Sequence, residues 1–345
     1  MLDTVYNTFR NLPPLVGPKR DAAERAMRRQ WWAVARSVDI ATPQPAILLG
    51  ERLVVYRTAS GQPVVQSRRC PHRGGDFSQG VVHGESIACP YHGWQFAADG
   101  KCSHIPSLED QSKIPPRATI ATYPVIEKWG HVWTVLDQPA MPMYDLEIWR
   151  DLDLEWLAGP PLDSETGVAV AIENFRDVAH FPFVHEVSMG PTPHIVEPLA
   201  VKREGLDVWM QRTLAASNGD WANDGDCEMY YQCVAPGLAT ITYDYQKYGK
   251  RIVAGFPSPM AYDHVMIFWG VANETTYSGA DLEECLRIEE MVYREDLPIA
   301  GALEPREVDW DGNYVEHSVP ADLFTLNYRR AFNDFVAQAL AGESR

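Results

Sequence analysis

Cys70-Pro71-His72-Arg73-Gly74 and, with sixteen residues intervening after His72, Cys89-Pro90-Tyr91-His92-Gly93-Trp94 decide how the rest of the chain is read. The first half is C-x-H and the second C-x-x-H, each closed by glycine. Glycine lets a short loop turn back on itself, so that side chains converge and backbone N–H groups reach inward. Two thiolates and two imidazoles suit either zinc or a [2Fe–2S] centre in which two His hold one iron. A zinc finger places its two Cys together and its two His on a helix. Here Cys and His alternate, and Pro90 and Gly93 keep the second half a loop.

Outward from this stretch the pattern is that of strands. WWAVARS, RLVVYR and PVVQSR are short β-rich runs separated by turns such as Gly61-Gln62-Pro63. SIAC and GWQFAADGKC flank the second loop, with Asp99-Gly100 as a hairpin signal. ATYPVIEKWGHVWTVL closes the series, turning at Lys128-Trp129-Gly130. The spacing predicts a small all-β domain over residues 30–140. Residues 1–29 read as an arm with a short helix from Asp21 to Gln30, packed on the body or on a neighbouring subunit. Pro139, Pro142 and the polar run to Leu152 read as a linker.

Residues 141–345 read as a second, mixed domain, so the chain as a whole is α+β. VAVAI is a strand candidate leading into ENFRDVAHFPFVHE. LDVWMQRTL, EMYYQCVA, LATITYDYQ, RIVAGF and HVMIFWGVA predict one antiparallel sheet. Asp281 to Ala302 reads helical, with Cys285, Ile288, Val292 and Ile299 on one face. A last helix runs from about Ala321 to Leu340.

With 345 residues, 46% of them hydrophobic, the chain can bury two cores. No apolar run approaches the roughly 18 residues that a membrane span needs. The first residues lack an apolar stretch before a small-residue cleavage site, so no signal peptide is expected. The net charge of −17 argues against nucleic acid as a partner. Of the six cysteines, 70 and 89 belong to the opening motif, and 102, 227, 233 and 285 form no regular disulfide framework, which predicts free thiols in a reducing cytoplasm.

A second constellation is Asn174-Phe175-Arg176-Asp177-Val178-Ala179-His180-Phe181-Pro182-Phe183-Val184-His185. Two imidazoles and one carboxylate make the facial triad of non-haem Fe(II) oxygenases, with positions left open for O₂. On an ideal helix, residues five apart diverge by about 140°. Pro182 between the two His predicts a local distortion that lets them converge. Arg294-Glu295-Asp296 offers two candidate carboxylates at similar angles to the apolar face, and Asp334 in the last helix is a third.

CPHRG and CPYHGWQF resemble the Rieske domain of ring-hydroxylating and demethylating oxygenases. NFRDVAHFPFVH resembles their D-x-x-H-x-x-x-x-H motif. REDLPIAGALEP and VPADLFTLNYRRAF resemble segments of vanillate- and dicamba-type demethylase oxygenases and of saxitoxin-pathway hydroxylases. The resemblance runs from about Trp31 to the end and is weak in the strands of the second half. It implies an N-terminal all-β Rieske domain followed by a helix-grip (START-like) catalytic domain. It implies Cys70, His72, Cys89 and His92 as ligands of a [2Fe–2S] cluster. It implies His180, His185 and Asp296 as ligands of a mononuclear Fe(II). Asp177 would link the two centres across a subunit boundary, bonding His180 on one side and His92 of a neighbour on the other, with Asn174 in support. Respiratory Rieske proteins carry extra bridging cysteines and a Ser after the second His-Gly. Here Gly75, Tyr91 and Trp94 stand in those places, which fits a low-potential cluster.

No G-x-G-x-x-G before a helix, P-loop or plant-type ferredoxin motif is present. Electrons from NAD(P)H are therefore expected through a separate reductase, ferredoxin or both. The expected activity is mono-oxygenation of a small organic substrate with O₂, by hydroxylation or by N- or O-dealkylation, in a homotrimer. An arene cis-dihydroxylating dioxygenase and a simple Rieske electron carrier are the alternatives. Arg68, Arg69 and Arg73 either dock an acidic redox partner or compensate local charge.

Overall fold

The computed structural model of the chain describes residues 16–214, 227–279 and 281–341. The first 15 residues of the expected N-terminal arm lie outside them. Two compact units are present. One spans Gln30–Pro139; the other joins residues 16–29 to residues 140–341.

The first unit is all β. Strand β1 (Trp32–Arg36), then β2 (Gln44–Leu48), β3 (Glu51–Arg57) and β4 (Pro63–Ser67) precede the first Cys-His loop. Strands β5 (Val81–His83), β6 (Ser86–Ala88), β7 (Gln95–Ala97) and β8 (Cys102–His104) surround the second. Strands β9 (Thr122–Tyr123), β10 (Val125–Lys128) and β11 (His131–Thr134) follow. They form three antiparallel sheets, ordered β1-β11-β10, β2-β3-β4-β9 and β5-β6-β7-β8. The two cysteines belong to the core itself. Cys70 and Cys89 pack with Val54, Tyr56, Phe77, Ile87 and Phe96.

The second unit is built on one antiparallel sheet of eight strands. These are β12 (Leu154–Ala158), β13 (Leu162–Ser164), β14 (Lys202–Glu204), β15 (Asp207–Leu214), β16 (Cys227–Val234), β17 (Leu238–Tyr245), β18 (Gly249–Ala261) and β19 (His264–Glu274). The order is β12-β19-β18-β17-β16-β15-β14, with β13 also on β19. Pro257 and Pro259 are tolerated in β18 because its pairing with β17 ends at Gly255, so no ladder bond to that neighbour is lost. Seven helices are present among the described residues: α1 (Pro18–Met27), α2 (Glu147–Arg150), α3 (Val168–Arg176), α4 (Phe181–Val184), α5 (Glu186–Met189), α6 (Leu282–Ala300) and α7 (Leu323–Leu340). Helix α3 packs on β17 and β18 and against α6 and α7, and α1 packs on α7. No helix among the described residues is long and apolar enough to cross a membrane.

Two sequence expectations are corrected here. VAVAI is the first half of helix α3, not a strand. A short apolar run has no period that separates a buried strand from a buried helix. Val168 to Ile172 are buried on every side, and Glu307 reaches in from a distant loop to accept the Ala169 N–H at 3.1 Å. That carboxylate satisfies one of the donors a helix start leaves open. The buried stripe of α6 is also offset from the apolar positions. It comprises Cys285, Tyr293, Asp296 and Ala300, while Ile299 is 52% exposed. A carboxylate occupies a place that packing alone would give to an aliphatic side chain.

His131 is fully buried in β11, with Nδ1 2.7 Å from the Trp129 carbonyl. Burial drives its pKa down to about 4, against the opposing pull of that carbonyl. The unfolded chain therefore takes up a proton below about pH 6.5 that the folded unit refuses until about pH 4. This contribution is intact above the unfolded value and is lost as pH falls. Between about pH 7 and about pH 5 the loss is about 2 kcal/mol. Denaturant titrations at the two pH values should show His131→Asn losing less stability than wild type by that amount. Equal losses would show that His131 does not set the slope.

Candidate metal centres

The two Cys-His loops are built on one plan. The Cys70 N–H donates to the Gly75 carbonyl at 2.8 Å and the Gly74 N–H to the Cys70 carbonyl at 2.9 Å. The Cys89 N–H donates to the Trp94 carbonyl at 2.8 Å and the Gly93 N–H to the Cys89 carbonyl at 2.9 Å. Gly74 and Gly93 close the turns at φ 74° and 70°, a region that favours glycine. A Cβ at Gly75 would come within 2.6 Å of the Cys89 sulfur. The loops bring the His72 and His92 rings to 4.6 Å between centroids. Trp94 stacks on His72, and Tyr91 lies against His92.

This set fits a [2Fe–2S] group of the two-Cys, two-His kind. Nδ1 of His72 is shielded and has no partner among the described residues, as suits a nitrogen that would ligate iron. Burial, with a further push from the adjacent Cys89, raises the Cys70 thiol to about 11. Bound metal reverses that direction, because a coordinating thiol is deprotonated. Of the three arginines beside the loop, Arg68 is drawn to Asp76 at 3.3 Å, so charge compensation accounts for it.

The second site is assembled by a break in the chain. Helix α3 stops at Arg176, Asp177 is extended (φ −72°, ψ 131°), and His180 begins the short helix α4. The two His are the caps of this one short helix, which carries Pro182 in its first turn and leaves helical geometry at His185 (φ −109°, ψ 23°). Their Nε2 atoms face each other at 3.1 Å. Asp296 Oδ1, from α6, lies 3.4 Å from the first and 3.2 Å from the second. An octahedral ion with bonds of about 2.1 Å spaces three donors on one face about 3 Å apart. The triangle has the shape of such a face.

Each imidazole is held from behind by a carboxylate. Asp177 Oδ2 is 3.1 Å from His180 Nδ1, and Glu295 Oε2 is 2.8 Å from His185 Nδ1. Ser188 donates to the same Glu295 oxygen at 2.6 Å. A hydrogen bond at Nδ1 fixes the tautomer that turns the Nε2 lone pair inward. Asn174 Nδ2 donates to Asp296 Oδ1 at 3.2 Å. Burial works against charge on His180, but Asp177 and Asp296 override it and lift the imidazole to about 9. His185 is raised too, against its burial, by Asp296 and Glu295. Asp296 is lowered despite burial by its bonds to both His. The cavity between the rings thus attracts positive charge.

Every sequence-predicted residue of this site is accounted for. Glu295, one of the rivals for the third position, stands behind His185 rather than inside the triangle. Asp334 lies elsewhere, paired with Arg203 at 2.5 Å. Sequence reasoning missed Glu295 as the partner of His185. The signal was adjacency: two neighbouring acids on one helix face different sides of the same imidazole. A cavity of about 460 Å³ of empty space opens beside the triangle, partly to solvent. Phe175, Phe181, Ile241, Tyr243, Val253 and Val292 supply much of its wall. Its apolar lining suits the body of a small organic molecule.

Comparison with known proteins agrees with this geometry. The Rieske [2Fe-2S] domain family matches residues 30–124. The vanillate O-demethylase oxygenase C-terminal domain family matches residues 164–338, half of the chain. The chain belongs to the Rieske non-haem iron oxygenases. Methylxanthine N1-demethylase of Pseudomonas putida is 25% identical, over 88% of each chain. The oxygenase subunit of 3-chlorobenzoate-3,4-dioxygenase of Comamonas testosteroni is 31% identical, over 46% of this chain and 38% of that one. A solved structure of the Pseudomonas putida demethylase NdmA with caffeine superposes with a TM-score of 0.76 at 23% identity, covering 92% of this chain and 96% of that one. The fold is thus shared with Rieske oxygenases, an all-β Rieske domain followed by the α+β domain. The cofactors of this family are a [2Fe–2S] cluster and a non-haem iron. The match over residues 30–124 leaves the zinc reading without support, and the match over residues 164–338 does the same for the electron-carrier reading.

Fe(II) titration of the metal-stripped protein tests the triangle. Asp296→Asn should weaken binding by more than about a hundredfold, because it removes a donor. Glu295→Gln should weaken it only about tenfold, as loss of a partner behind a ligand does. Asp334→Asn should leave it unchanged. The reverse order for the two adjacent acids would move the ligand to Glu295.

Proposed function

We propose that the chain is the terminal oxygenase of a multicomponent system, fed with electrons from NAD(P)H through a separate reductase or ferredoxin. It mono-oxygenates a small organic substrate, by hydroxylation or by N- or O-dealkylation. The observation that carries this reading is the His180–His185–Asp296 triangle in the wall of an apolar cavity. In this reading Cys70, His72, Cys89 and His92 hold the cluster, and His180, His185 and Asp296 hold the iron. When bound, the cluster supplies single electrons and the iron supplies O₂ activation, one oxygen atom entering the substrate and the other leaving as water. The protein's own residues do the rest. Asp177 and Glu295 orient the two imidazoles, and Asn174 orients the carboxylate. The aromatic and aliphatic wall excludes water and holds the substrate's apolar body.

Asp177 carries a further role. Its Oδ1 accepts the Ala179 N–H at 2.8 Å and its Oδ2 faces His180, yet the side chain keeps 33% of its surface. That surface is where His92 of a neighbouring copy would bond. A head-to-tail contact of this kind closes into a ring, and the ring expected is a homotrimer. The six cysteines are all free, which suits a cytoplasmic location. Demethylases among the relatives, and the C-terminal family match, favour dealkylation or hydroxylation. Ring dihydroxylation is the second reading, favoured by the 3-chlorobenzoate-3,4-dioxygenase and phenoxybenzoate dioxygenase matches.

The test combines metal counting with subunit mixing. Wild type should carry two irons in the cluster and one at the mononuclear site, and show a Rieske-type EPR signal on reduction. Cys89→Ser should lose the signal, and His180→Ala only the mononuclear iron. Asp177→Asn should keep both metals and its assembly state, yet lose nearly all product formation while its cluster is still reduced. Mixed trimers of Cys89→Ser and His180→Ala chains should recover some activity. Verified mixed trimers that stay inactive, or a fully active monomer, would refute the route between copies.

A further inference from the structure

Two acids line the cavity beside the metal site, and only Asp296 has a part in the chemistry above. The other is Glu289. It lies seven residues before Asp296 on α6, which is two turns and nearly the same face, about 10 Å along the axis. Val292 and Tyr293 line the wall between them. Three other glutamates of this helix are engaged. Glu284 pairs with Arg287, Glu290 with Arg294, and Glu295 with His185. Glu289 makes no hydrogen bond and no ion pair among the described residues. Glu289 is half-buried in the cavity wall, and desolvation pushes its carboxyl up to about 7, against the pull of Arg251, His185 and Arg176.

Neither of the two arginines that influence it bonds it among the described residues, although Arg176 lines the same cavity. Arg251 bonds Asn273 and Tyr277. Arg176 donates to the Thr240 carbonyl at 2.6 Å and lies over the Tyr231 ring, and its Nε is shut off from solvent. A carboxyl group held in an apolar wall without a partner is costly, and a ligand that brings it a donor recovers that cost. An anionic group in the same place would be repelled.

We propose that Glu289 is a specificity-determining residue that receives an N–H group of the substrate. The substrate class is then an aromatic or heteroaromatic compound with a nitrogen-bound hydrogen at the end remote from the reacting carbon. The inference rests on the metal-site reading above for the position of that carbon alone. The separation of the two groups is set by the two helical turns between Glu289 and Asp296.

Calorimetric titration of the purified holo-protein with four matched aryl methyl ethers tests this. The probes are meta-methoxybenzamide, meta-methoxybenzylamine, meta-methoxybenzoate and meta-methoxytoluene. Wild type should bind the amide, the amine or both about tenfold or more tightly than the toluene, the worth of one hydrogen bond to a charged group. The benzoate should be weakest. Glu289→Leu should erase the advantage of the N–H compounds. Glu289→Gln should keep the preference for the amide and lose that for the amine, which separates a neutral donor from a cation. A wild type that takes the benzoate as well as the N–H compounds overturns the proposal. So does a Glu289→Leu protein that keeps the preference, or a wild type that binds no probe at millimolar concentration. Iron counted in the same samples separates the two readings. A wild type without the mononuclear iron sinks the metal-site assignment, whereas full iron with the wrong ranking sinks only the role of Glu289.

Discussion

A buried carboxylate facing two imidazoles is the constraint on which the second unit depends. Asp296 is 7% exposed and lies on the inner stripe of α6. A charge in that position is costly unless it is paired and hydrogen-bonded. Asn174 and the Nε2 edges of His180 and His185 meet it from three sides. Behind the imidazoles stand two more carboxylates, Asp177 and Glu295. Three acids around two imidazoles leave an excess of negative charge, which a divalent cation at the centre of the triangle would largely offset. Binding of the ion and stability of the site are therefore one question.

That constraint explains local features that would otherwise look like defects. His180 and His185 cap the short helix α4, which follows the end of helix α3. The start of helix α3 is held by Glu307, a buried carboxylate whose two oxygens accept the Ala169 and Val308 N–H groups. The site thus hangs between a capped helix start and an abrupt helix end. The Cys-His loops follow another logic. Each is closed by its own pair of backbone hydrogen bonds, and each repeats the other. They need the core beneath Cys70 and Cys89 to fix their spacing, but not a distant partner to define their shape.

This difference sets how much of each site was legible in the sequence. Cys70, His72, Cys89 and His92 sit in two short motifs with glycines at the turning points, so spacing alone brought the donors together. His180 and His185 were legible as a pair flanking Pro182. They cap one short helix that carries this proline in its first turn, and the end of helix α3 at Arg176, ahead of both, was not legible. The third ligand candidate could not be chosen by period, because Glu295 and Asp296 flank the apolar face of α6 almost equally.

The sequence by itself determined the two metal motifs, the all-β character of the first unit and the antiparallel strands of the second. Those are signals of short range, carried by turn residues, period-two alternation and donor spacing. Only the tertiary structure decided that VAVAI is helical, that Asp296 enters the triangle while Glu295 stands behind His185, and that Glu289 faces the cavity unpartnered. Each of these depends on which side of a helix meets another element. A residue's neighbours in space, more than a hundred positions away for Asn174 and Asp296, supply the field and the packing that its neighbours in sequence do not encode.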